Sequence, residues 1–152
     1  VPNVRPNDSI LSPHYNTLSK LNCILASIEA NKLGYDEGIM NDMNGNISTC
    51  NSTNLFFIKN DKVLTSTGKY CLNGITRAKA IKVCRENKIE FSETNFTFKD
   101  IIDCDEAFVT GTFAGIIPVS KLEDRELKST SPDSLVNKIR MLYNKEIRNY
   151  IG

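Results

Sequence analysis

A glycine turn that runs straight into a helix does most to constrain this chain: Cys71-Leu-Asn-Gly-Ile-Thr-Arg77. Over the residues that follow, 78–86, Ala80, Ile81, Val83 and Cys84 recur at helical spacing, which predicts that this side of the helix faces a core. Thr76 is expected as the N-cap, because its hydroxyl can accept from an otherwise unpaired amide of the first turn. Free amides and aligned peptide dipoles at such a start make a ready phosphate site. A second small-residue turn, Thr110-Gly-Thr-Phe-Ala-Gly115, follows the apolar run Ala107-Phe-Val109. Two anion-sized turns in one small domain point to a phosphorylated small molecule. The competing interpretation is two ordinary strand-to-helix turns.

The 152 residues suffice for one domain with a core of its own. A net charge of +1 leaves no electrostatic footprint for nucleic acid or anionic lipid. No apolar run approaches membrane-spanning length, and the N-terminus carries no signal-peptide core. Five cysteines stand at 23, 50, 71, 84 and 104, with no Cys-x-x-Cys, and the one histidine is His14. A closed metal site needs four clustered ligands, so none is expected. Free thiols in a reducing cytoplasm fit this pattern better, with Cys23 and Cys84 on apolar helix faces.

Residues 1–13 hold three prolines and are expected as an interdomain linker or edge segment of a longer protein, leaving 14–152 as the folded domain. Thr17 or Ser19 is expected to cap a helix reaching Lys32, with Leu18, Leu21, Leu25 and Ile28 at helical spacing and Gly34 ending it. A hairpin over 37–49 turns at Asn44-Gly45, and strands follow at 54–59 and 62–66 about an Asn60-Asp61 turn. After the central helix come a strand near 89–92, a short helix near 97–102, and strands at 106–110 and 116–122. Ser131-Pro132 is expected to start a last helix with Leu135, Ile139, Leu142 and Ile147 inward. This order predicts a mixed α/β (α+β) domain with a mainly antiparallel sheet. Asp105-Glu106 is not an acid–base pair, because adjacent strand residues face opposite ways.

Several segments, in order, resemble the large C-terminal domain of the class IV (fold type IV) pyridoxal-phosphate aminotransferases, branched-chain type. They are Glu29-Ala30 with 34–39, Gly45-Asn-Ile-Ser-Thr49 with Asn54-Leu-Phe56, 72–77, 105–112, and Ile117-Pro-Val119. The resemblance implies a β half-barrel with surrounding helices. It implies pyridoxal 5'-phosphate as cofactor, amino acid and 2-oxo acid substrates, and a homodimer. It implies that the cofactor phosphate is held by Gly74, Ile75 and Thr76 in one turn and by Gly111 and Thr112 in the other. A small N-terminal domain, absent from this chain, would complete the site.

Two columns depart from the family. The position of the lysine that bonds the cofactor aldehyde falls on Asn16, or on Tyr15 with a one-residue gap, and neither side chain is an amine. The glutamate that faces the pyridine nitrogen falls on Thr49, whose hydroxyl is expected to meet a neutral nitrogen. Lys20 stands in a column that touches the cofactor and is the candidate replacement amine, against an ordinary solvated lysine on the first helical turn. The departures leave open a lyase-like relative of altered chemistry and a catalytically impaired one. Arg77, Tyr70, Phe113 and the polar loop Asn51-Ser-Thr53 are lesser candidates, each with an ordinary packing or turn role as its alternative.

Overall fold

The structure, a computed structural model, describes residues 12–151, so the linker expected at 1–13 lies outside the described residues apart from Ser12 and Pro13. Helix α1 (Leu21–Lys32) is followed by hairpin strands β1 (Ile39–Asn41) and β2 (Ile47–Cys50). Strands β3 (Asn54–Lys59) and β4 (Lys62–Thr65) lead to helix α2 (Ile75–Glu86), then β5 (Phe91–Glu93) and the short helix α3 (Phe98–Ile101). Strands β6 (Glu106–Gly111) and β7 (Gly115–Pro118), a small hairpin of β8 (Lys121–Leu122) and β9 (Arg125–Glu126), and helix α4 (Leu135–Ile151) complete it. The main sheet runs β5-β4-β3-β6-β7; only the β4–β5 pair is parallel. The expected mixed, mainly antiparallel architecture is the one observed.

The centre of the sheet follows from β3. A strand buried on both faces reads as a continuous apolar run, as Leu55-Phe-Phe-Ile58 does. Phe56 and Ile58 join Phe108 of β6 against Ala80, Val83 and Cys84 of α2 and Val136 and Ile139 of α4. Leu55 and Phe57 face the other way, packing with Ala107, Val109, Phe96, Ile101 and Leu122. The rings of Phe56 and Phe108 stack across the strand pair with centroids 4.6 Å apart. Asn60 and Asp61 both have positive φ, the pairing that a two-residue hairpin turn requires.

Three local expectations need correction. Helix α1 starts at Leu21 with Lys20 as its N-cap and no side-chain cap, so neither Thr17 nor Ser19 caps it. Its buried residues are Ala26 and Ala30, whereas Leu21, Ile24, Leu25 and Ile28 are 65%, 52%, 45% and 46% exposed. The alanine side lets the helix backbone lie close to the fold, which turns the bulky side outward. Helix α4 begins at Leu135 rather than at Pro132. Ser134 Oγ accepts from Asn137 N at 3.0 Å, and the Glu106 carboxylate accepts from Leu135 N and Val136 N at 3.1 and 2.8 Å, which fixes the start there. The strand expected over 116–122 ends at Pro118, with one further bond from Val119 N to Ala107 O at 2.9 Å, and Lys121 and Leu122 turn instead into the β8–β9 hairpin.

Candidate functional site

The two glycine turns meet at one end of the main sheet. There β3 begins at Asn54 and β6 ends at Thr110-Gly111, with Asn54 opposite Thr110. The carboxamide of Asn54 donates to Leu72 O at 2.9 Å and stands 3.6 Å from Cys71 Sγ, so it grips the first turn. A Cβ on Gly74 would lie 2.7 Å from Asn54 Oδ1, which is why glycine occupies that position. On the second turn, a Cβ on Gly111 would sit 3.5 Å from Thr53 Cγ2. One residue pair, Thr53-Asn54, thus abuts both turns.

Gly74, not Thr76, is the N-cap of α2, and no side chain caps the helix. Thr76 lies inside the first turn and is buried. The helix still offers amides at a 12-residue α-helix start with no protein side chain placed to take them, which is the requirement for holding an anion. Thr110 adds a hydroxyl that is buried and has no hydrogen-bond partner among the described residues. Ile75 and Thr112 are exposed at the two turns, so their backbones are accessible.

Beside this end of the sheet lies a cleft between the segment leading into α1 and the β2–β3 loop. Asn16, Lys20 and Thr49 all line it, and so do Asn54 and Leu72, which join it to the α2 turn. Asn16 and Thr49, from the two departing columns, are therefore brought to one place with Lys20, and Lys20 and Asn16 are exposed there. Lys20 is the one amine among the described lining residues, and no carboxylate is among them. Thr49 is buried, and its hydroxyl donates to Thr53 O at 2.7 Å. In this arrangement the Thr49 Oγ1 lone pairs stay available to a donor entering the cleft. A larger cavity of about 940 Å³ lies on the sheet face away from α2, over Leu55, Phe57 and Val109; it touches neither α2 nor the Thr110–Gly115 turn and shares Cys50 and Thr53 with the cleft.

Other candidates have structural work. Arg77 is buried, donating to Ser66 O and to Glu93 Oε2, each at 2.7 Å, so it braces the loop into α2. Asn51 Oδ1 accepts from Gly38 N at 2.6 Å, and Ser52 Oγ donates to Glu37. Asp105 accepts from Asn60 N while Glu106 caps α4, so the adjacent carboxylates do face apart. His14 Nδ1 lies 3.4 Å from Asn73 Nδ2 of the first turn. Phe113 is fully exposed at the tip of the β6–β7 turn and is not a packing residue. Burial pushes the Cys84 thiol up to about 11 and raises that of Cys50 further, so neither is a ready nucleophile. Among the described residues no cluster of metal-ligating side chains occurs, and no helix is long and apolar enough to cross a membrane. Asn54 and Thr110 are the site-building residues that sequence patterns did not single out. Their signal was a polar residue at each end of an apolar strand, where burial demands a partner.

The architecture is that of fold type IV aminotransferases: a branched-chain amino acid aminotransferase from Thermobaculum terrenum, solved in its PLP form, superposes with a TM-score of 0.89 at 28% identity over 95% of this chain and 48% of that one. The family model described as amino-transferase class IV matches residues 1–122, and the chain belongs to that family. Among curated proteins it is 34% identical over 140 residues to branched-chain-amino-acid aminotransferase-like protein 2 of Arabidopsis thaliana, covering 92% of this chain and 25% of that protein. It is 31% identical over 123 residues to the branched-chain-amino-acid aminotransferase of Pseudomonas aeruginosa, covering 81% of this chain and 40% of the relative. The chain thus spans half or less of the length of these relatives.

Proposed function

We propose that this chain is the cofactor-binding large domain, residues 14–152, of a pyridoxal-phosphate-dependent aminotransferase of the branched-chain type. It would move an amino group from an α-amino acid to a 2-oxo acid. The observation that carries this is the convergence of two glycine turns on Asn54, with an uncapped helix start and the unpartnered Thr110 hydroxyl at one sheet end. A phosphate fits that need: the amides of Ile75 and Thr76 and the Thr112 side of the second turn would hold its oxygens, and Gly74 and Gly111 would keep the approach open. Thr49 would be the hydroxyl partner of the ring nitrogen. Bound there, the cofactor supplies an electron-withdrawing ring that loosens the bonds at the amino acid's α-carbon.

The protein acts as a homodimer, completed by a small domain that this chain does not include. Support comes from the share of the relatives left unmatched and from the outward leucine and isoleucine side of α1. Five free thiols suit a cytoplasmic setting.

The test is a spectroscopic titration with pyridoxal phosphate and with pyridoxal. Pyridoxal phosphate should bind at least about ten-fold more tightly, and Gly74→Val should erase that preference by driving a side chain into Asn54. Equal affinity for the two ligands would remove the phosphate site and the proposal with it.

A further inference from the structure

We propose that Lys20 supplies the amine that bonds the cofactor aldehyde, so that the amine has moved four residues along the segment that leads into α1 and has not been lost. This rests on the cofactor assignment above. Asn16 and Lys20 are four residues apart and line the same cleft as Thr49. A carboxamide at position 16 cannot add to an aldehyde, whereas a primary amine can. Lys20 is the one amine among the described lining residues, and no carboxylate there would hold its charge. Among the described residues it makes no ion pair.

Its backbone is fixed at the helix entry. Lys20 N donates to Leu18 O at 2.9 Å, and Lys20 O accepts from Ile24 N at 2.9 Å. A four-carbon stem anchored at such a point sweeps the cleft mouth while its root stays in place. It is the neutral amine that adds to an aldehyde. The Nζ lone pair then adds to the aldehyde carbon, a carbon–nitrogen double bond replaces the carbon–oxygen one, and the oxygen departs as water with the two amine protons. No oxidant or reductant takes part.

The experiment is borohydride fixation of the full chain at stoichiometric pyridoxal phosphate, followed by peptide mapping. The Lys20 peptide should carry at least about ten-fold more label than any other lysine peptide, which separates it from surface lysines. Lys20→Arg keeps charge and stem but cannot form the bond. It should lose that label and the associated visible absorbance band while still binding pyridoxamine phosphate, which has no aldehyde. Restoring an amine by Asn16→Lys in the Lys20→Arg background should bring the label back, now at position 16. If both cofactor forms bind and the label is absent from Lys20 or spread evenly over the lysines, the proposal is overturned while the cofactor site stands. If neither form binds, the cofactor assignment fails and this proposal falls with it.

Discussion

Helices α1 and α2 are each 12 residues long and both carry apolar residues at helical spacing, yet they use them in opposite ways. In α2 six residues are buried, including Ala80, Ile81, Val83 and Cys84, and they complete the core on one face of the sheet. In α1 the buried residues are Ala26 and Ala30, and the large side chains point outward. Periodicity therefore identifies a face, but residue volume decides which face lies against the fold. Alanines permit close approach, and a stripe of leucine and isoleucine left outside is available for a partner surface.

The largest expected effect that sharpens this contrast is on the α2 side. Phe108→Ala removes a ring stacked on Phe56 and fully buried against α2 and α4, and should lower unfolding stability by about 3–5 kcal/mol in urea titrations. A loss under about 1 kcal/mol would mean that this face is not the dominant core. Next comes the anchorage of α4 over the same face. Glu106→Ala strips the acceptor from two helix-start amides and should cost about 1–2 kcal/mol, measured the same way, with Glu106→Gln recovering part of it. The smallest effect belongs to α1. Leu25→Ser should change the unfolding midpoint of the dilute chain by less than about 0.5 kcal/mol, because the side chain is 45% exposed. A loss comparable to that of Phe108→Ala would erase the distinction between the two helices.

The sequence made some of this plain and hid the rest for identifiable reasons. Strand β3 is visible because a run buried on both faces is apolar throughout, and its turn at Asn60-Asp61 carries residues that tolerate positive φ. The inner face of α2 is legible because Ala80, Ile81, Val83 and Cys84 all pack into one core cluster with Phe56 and Phe108 of the sheet. Helix caps were misjudged because they depend on distant groups: Glu106 lies 29 residues before Leu135, whose amide it receives. The β8–β9 hairpin escaped notice because each strand is two residues long, below any reliable period. At the site, Thr49 is distant in sequence from Asn16 and Lys20, and the fold gathers the three in one cleft. The direction of the Thr49 hydrogen bond was beyond the sequence, since it depends on where Thr53 O points.

Asn54 has a consequence for folding as well as for binding. It is the first residue of β3, its side chain holds one turn, and its backbone is paired with Thr110 at the edge of the other. A strand that slips by one residue sends every side chain to the opposite face. Such a slip in β3 would release Leu72 and uncouple both turns at once. The proposed anion site therefore requires the native register, and a phosphate ligand bound there would favour the correctly aligned sheet over its misregistered competitors.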